Sequence, residues 1–183
     1  MNIDTFESYI NEQNEWAQEK DCYDIAIFRC WIKFEKFLIY KFVEYSTKPF
    51  GSEDIRRLKF DDESHFKAFL KGERSYIEYM SKIEKLSQHI FKNNKNPFEI
   101  LISDQNYSNV FKDLVAIRNY IAHESEEAER KYINRIFSSN PKRMIPVNDY
   151  LKSWKDRKKA ESCYSFYVRG IKEMSKLIEL PIF

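Results

Sequence analysis

Glycine and proline are scarce in this chain, three and five residues out of 183. With so few turn formers and helix breakers, and with apolar residues recurring at helical rather than alternating spacing, the sequence reads as mostly helix joined by short polar turns. The expected fold class is all-α: an up-and-down helical bundle closed by a long C-terminal amphipathic helix. Cysteine is scarce too. Cys22, Cys30 and Cys163 form an odd set with no C-x-x-C pair, so neither a disulfide framework nor a zinc ribbon is indicated, and a reducing compartment is expected. No stretch approaches the ~20 apolar residues of a membrane span, and the opening "MNIDTFESYINEQNEW" has no basic region, apolar core or small-residue cleavage site. The expectation is a cytoplasmic protein with no membrane partner. A dominant charge sign is missing as well: 31 basic residues against 29 acidic leave a net of +2, so there is no strong overall field and any nucleic-acid contact must be local. Internal repeats and low-complexity tracts are absent.

What is present is apolar mass. Hydrophobic residues make up 43% and aromatics 16%, with fifteen Phe and twelve Tyr, enough for a real core in one domain spanning residues 1–183. A first helix is expected over Ile3 to Lys20 and a second from about Cys22 to Tyr45, stopped by Pro49 and Gly51 in "STKPFGSED". In the second helix Phe28, Ile32, Glu35, Ile39 and Phe42 alternate in steps of four and three, the spacing of a single core-facing stripe. Glu35 stands in the middle of that stripe. It reads either as an edge carboxylate paired with Lys33 or Lys36, or as a buried partner for a cation elsewhere in the bundle.

The middle of the chain predicts a short helix, a break at Gly72, a longer helix to about Phe91 and a polar turn before Pro97. Asp61, Asp62, Glu63 and His65 can be drawn as a metal site, but acidic residues suit the positive end of a helix dipole and a helix start is the better reading. His89 stands alone. Asp149 to Leu180 predicts one long helix with Ala160, Tyr164, Tyr167, Ile171, Met174 and Ile178 on one face and Lys155, Arg157, Lys158 and Lys159 on the other. Such a charge run ordinarily marks a solvated face; it can also meet RNA phosphates.

The stretch "LVAIRNYIAHES", Leu114 to Ser125, puts an arginine and a histidine into an otherwise apolar helix. With Leu114 as zero and ~100° per residue, Val110, Ile117 and Ile121 cluster around it and Arg118 falls at ~40°, inside the stripe. Asn119 and His123 lie one turn apart on nearly the same line. An arginine in an apolar stripe is costly unless it is paired with a buried acid such as Glu35, or unless the stripe opens onto a cleft or a subunit boundary. The second arrangement accounts for the asparagine and histidine as well.

"RNYIAH" resembles the R-(polar)-x-x-x-H signature of the HEPN superfamily, all-α domains that include RNA-cleaving toxins and anti-phage defence proteins. The surroundings "DLVAIRNYIAHESEEAERKY" are similar to stand-alone prokaryotic HEPN domains, and "RCWIKFEKFL" looks like their first core helix with its acidic residue. The resemblance covers Cys22 to Tyr132. It implies a homodimer with a composite active site and metal-independent cleavage of single-stranded RNA, with no cofactor. In that chemistry the 2′-hydroxyl is the nucleophile; His123 would be acid or base, Arg118 the phosphate cation, Asn119 an orienting or phosphate-binding group, and Glu35 a support. A role in toxin–antitoxin or anti-phage systems, with an antitoxin or defence partner, is implied in the same way. One departure matters: some HEPN toxins carry a modifiable tyrosine three residues after the histidine, where this chain has Glu126, so silencing by such a partner at that site is not implied. The alternative is a non-catalytic HEPN module that binds RNA or nucleotide, or a helical interaction domain.

Overall fold

Asn2 opens the first helix by accepting a hydrogen bond from the Thr5 N–H at 2.9 Å, satisfying an amide that would otherwise lack a partner, and Asp21 closes it in the left-handed conformation. The computed structural model describes residues 2–50, 54–72, 79–123 and 125–181; Gly51, residues 73–78, over which the longer middle helix is expected to begin, and Glu124 of the motif segment lie outside them. Among the described residues there are nine α-helices: α1 (Ile3–Lys20), α2 (Tyr23–Thr47), α3 (Glu63–Lys71), α4 (Tyr79–Ile90), α5 (Glu99–Ser103), α6 (Gln105–His123), α7 (Glu126–Ile136), α8 (Val147–Lys152) and α9 (Cys163–Glu179). A two-stranded antiparallel hairpin, β1 (Trp154–Asp156) and β2 (Glu161–Ser162), interrupts the series before α9. The fold is an all-α bundle.

α2 is the central post. Trp31, Phe34, Phe37 and Phe42 are fully buried along it and meet Phe6 of α1, Phe66 of α3 and Phe111 of α6 ring to ring. Each such side chain contributes roughly 1.5 to 3 kcal/mol by leaving water. The buried line on α2 is not the one expected. Phe42 is buried, but Phe28, Ile32, Glu35 and Ile39 are only half-buried, on the flank of the core face. The physical reason is that α2 carries apolar residues over more than half its circumference, so a step-of-four-and-three stripe can be drawn at more than one angle.

Asp61, Asp62, Glu63 and His65 are a helix start. Asp62 accepts from the His65 N–H and His65 Nδ1 faces Asp61, and no group of three or more potential metal ligands occurs among the described residues. Gly72 ends α3 at φ 54°, a backbone setting that glycine adopts without strain.

The C-terminal segment is not one helix. α8 ends at Lys152, the chain crosses into the hairpin, and α9 begins at Cys163, capped by Ser162 accepting from the Ser165 N–H. Tyr164, Tyr167, Ile171, Met174 and Ile178 are buried as their spacing requires, but Ala160 is exposed in the hairpin turn at φ 49°. Residues 152–160 offer only Trp154 as a large apolar side chain, too little to hold a helical turn onto the bundle. α9 then packs closely on α6: a Cβ built at Gly170 would lie 2.8 Å from Val110 Cγ1.

One helix start is capped from far away. Cys22 makes no side-chain cap for α2; Asn148, at the start of α8, accepts from the Tyr23 N–H at 2.7 Å and donates to the Asp21 carbonyl.

Candidate functional site

α6 carries the arginine and histidine on its last two turns. Its apolar side is anchored by Val110, Leu114 and Ile117, all buried, with Ile121 half-buried beyond them. Arg118 leaves this side toward α2 and is half-buried. Its Nη1 donates to Asn119 Oδ1 at 2.8 Å, while its Nε is buried with no hydrogen-bond partner. Among the described residues no carboxylate stands at ion-pair distance from Arg118, which leaves guanidinium donors uncommitted.

Glu35 is the acid nearest in effect. It is half-buried on α2, and burial pushes its carboxyl above the usual range; the Arg118 guanidinium and then the Trp31 indole oppose that rise. The two charges sense each other without closing an ion pair. The Trp31 Nε1–H, in a residue 1% exposed, also lacks a well-formed hydrogen bond. The structure therefore brings Arg118, Asn119 and Glu35 into one neighbourhood, with the Arg118 Nε–H buried and unmatched beside them.

His123 is the last residue of α6 and is exposed, with no side-chain hydrogen bond to any described residue. It lies one turn beyond Asn119, an i, i+4 relation that keeps the two on one face. Behind the motif, Tyr120 stacks on Tyr132 of α7 with ring centroids 4.9 Å apart and planes 3° from parallel, so the end of α6 rests on an aromatic base.

The four basic residues proposed for RNA sit elsewhere. Lys155 is on β1, its ammonium 4.7 Å over the Phe166 ring, and Arg157, Lys158 and Lys159 form the hairpin turn rather than a helix face. Lys155 lines a cavity of about 550 Å³ together with Asn109 and Asp113, which belong to the first half of α6. His123 is ten residues further along, about 15 Å by helix rise, so the basic run and the motif are separate regions of the surface.

Sequence reasoning missed a polar network on that first half of α6. Asp113 accepts from Arg135 Nε of α7 at 2.5 Å and from the Tyr167 hydroxyl at 3.1 Å, and Tyr167 in turn meets the Tyr150 hydroxyl at 2.8 Å. Burial drives both phenols well above their ordinary pKa. The network ties α6, α7, α8 and α9 together and serves as structure. Its members are up to 54 residues apart in sequence, so no local pattern announces them.

In comparisons with known proteins, no family model, no curated protein and no solved structure matches the chain.

Proposed function

We propose that this protein is a metal-independent endoribonuclease of the HEPN type, acting on single-stranded RNA as a homodimer. The observation that carries the reading is the uncommitted chemistry at the end of α6: a half-buried arginine with unused donors, an asparagine bound to it, and an exposed histidine one turn on. Chemistry at an RNA phosphate needs little more. The 2′-hydroxyl supplies the nucleophile, and the scissile bond breaks as its oxygen attacks phosphorus, leaving a 2′,3′-cyclic phosphate and a free 5′-hydroxyl. His123 takes the 2′-hydroxyl proton or delivers one to the departing 5′-oxygen. Arg118 meets the phosphate oxygens with a fixed fork of donors as their charge grows, and Asn119 holds that fork in orientation. One histidine cannot hold and give a proton in the same step, so a second copy supplies the other.

The dimer reading draws on the flank of α2. Phe28, Ile32 and Ile39 run half-exposed on either side of Glu35, with Ile25 41% exposed beyond them, and Arg118 approaches this same flank from α6. A second copy seated there would cover apolar surface that the bundle leaves uncovered and bring two Arg118–His123 pairs to one groove, burying on the order of 1,200 to 2,000 Å². A toxin or anti-phage role, with a restraining partner protein, belongs to the same proposal and rests on the resemblance of "RNYIAH" alone.

The deciding experiment incubates purified protein with single-stranded RNA in EDTA and maps the product ends. Cleavage with 2′,3′-cyclic phosphate ends, lost in His123→Ala, is the expected result. Cleavage that requires added divalent metal would refute the mechanism. Binding of RNA or nucleotide without any cleavage would favour the non-catalytic module, and a monomer mass by light scattering with full activity would refute the composite site.

A further inference from the structure

The hairpin is built as a projecting arm. Its root is fixed on both sides: the Cys163 N–H donates to the Ser153 carbonyl at 2.9 Å, and Arg169 of α9 grips Glu161 of β2 through Nε at 2.9 Å and Nη2 at 3.2 Å. Its tip is shaped as well. Asp156 accepts from the Lys158 N–H at 2.9 Å, and Ala160 turns the chain back through the left-handed region. A structured turn with a clamped base fixes the points on the backbone from which its side chains project, which a disordered basic run does not.

What the arm presents is a cationic tip beside a bare aromatic. Residues 154–160 hold four basic side chains and one acidic, a net of +3 on seven residues against +2 for the whole chain. Among the described residues no carboxylate pairs with Arg157 or Lys158, and Lys159 reaches Asp156 only at 3.8 Å. Trp154 is 56% exposed and its ring meets no other ring or cation among the described residues. Exposing a tryptophan this far costs apolar hydration, and the fold gains nothing visible in return. On the inner side of the arm Lys155 and Arg169 both stand over Phe166, at 4.7 and 5.5 Å.

We propose that this hairpin is a binding arm for a single strand of RNA, with Trp154 as the platform on which one base stacks and Arg157, Lys158 and Lys159 as the contacts to the phosphates flanking that base. Alternation of a flat aromatic with closely spaced cations matches the alternation of base and phosphate along a single strand, whereas a duplex keeps its bases stacked and unavailable. An anionic bilayer would also attract the cations, but the arm offers it one tryptophan and no apolar face to bury. The choice of RNA among single-stranded polyanions rests on the ribonuclease reading; the surface itself does not.

The test is fluorescence anisotropy of a fluorescein-labelled oligouridylate titrated with His123→Ala protein, so that the probe is not consumed. Replacing Arg157, Lys158 and Lys159 together by Gln should weaken binding about 10-fold or more and flatten the salt dependence by about 2 logarithmic units per decade of salt, each phosphate contact contributing about 0.7. Trp154→Ala should weaken binding about 10-fold with the salt dependence unchanged, and Trp154→Phe should restore most of it. Circular dichroism melts of the same proteins check that each variant folds like its parent. Binding that ignores all of these substitutions, no binding by the parent, or tighter Trp154-dependent binding to anionic phospholipid vesicles than to the oligouridylate would each overturn the proposal. Hairpin-dependent binding with no cleavage by the unsubstituted protein would remove the ribonuclease reading and leave the arm. Cleavage lost in His123→Ala with binding indifferent to the hairpin would remove the arm alone.

Discussion

In the first half of α6, Asp113 is engaged on both sides, by Arg135 of α7 and by Tyr167 of α9. In the last two turns of the same helix, Arg118 holds only its neighbour Asn119 and His123 holds no described residue. Both halves place polar side chains against a bundle core, yet one half closes its network and the other leaves donors open. A fold that minimised free energy everywhere would have paired Arg118 with Glu35 directly, since leaving a buried donor unmet costs about 1 to 3 kcal/mol. The closed network ties four helices together, and the open one is where the proposed RNA phosphate would dock.

The sharpest way to break this comparison is to delete one residue from each half. Arg118→Ala and His123→Ala should each lower the rate of RNA cleavage roughly 10²- to 10⁴-fold while leaving the melting temperature nearly unchanged. Asp113→Ala should do the reverse in kind. Its side chain is 16% exposed and that of its partner Arg135 34%, so removing it takes the acceptor from the buried Tyr167 hydroxyl and from the part-exposed Arg135 Nε at a cost of about 1 to 3 kcal/mol, seen as a fall of several degrees in thermal melts. If His123→Ala melts as low as Asp113→Ala, the open half is structural after all.

A smaller effect is expected at Gly170, where α9 meets α6. The added methyl of Gly170→Ala would stand 2.8 Å from Val110 Cγ1, and the strain should outweigh the better helix propensity of alanine for a net loss of about 1 kcal/mol. The double variant Gly170→Ala with Val110→Ala should recover part of that loss if the contact is its cause, which denaturant melts can read.

The smallest effect concerns Glu35. Its carboxyl pKa is raised in the folded state, so the folded chain binds more protons than the unfolded chain just above pH 4. The contribution of Glu35 to stability is therefore full below the unfolded pKa and is lost as pH rises through the folded one. Glu35→Gln should remove that loss, giving a melting temperature slightly above the parent's at neutral pH and a flatter profile between pH 4 and 7. A parent that instead gains stability across this window relative to Glu35→Gln would show that Arg118 outweighs burial.

Much of the fold was legible in the sequence because it is written in local pattern. Ile3–Lys20 forms a helix with the expected bounds, and Tyr23–Thr47 differs by one or two residues at each end, since caps and apolar periodicity act within a few residues of where they are read. The split of the last segment was not legible. Residues 152–160 contain neither glycine nor proline, and the hairpin depends on Glu161 reaching Arg169 and on Ser153 meeting Cys163, contacts that a periodicity count does not see. The motif residues were legible as a departure from an apolar stripe. Whether Arg118 would be paired was not, because that depends on how α2 is rotated, and α2 is apolar on more than one flank.

The cap supplied by Asn148 to the head of α2 has a consequence in time rather than in energy. The Tyr23 amide is satisfied by a side chain 125 residues further along the chain, so the cap on the first turn of the central helix is made only once α8 has arrived. The middle of α2 has no such dependence and can form early with α1 through short-range contacts. In a pulse-labelled hydrogen-exchange experiment the Tyr23 amide should gain protection late, together with the amides of α8, while those around Phe34 to Leu38 are already protected.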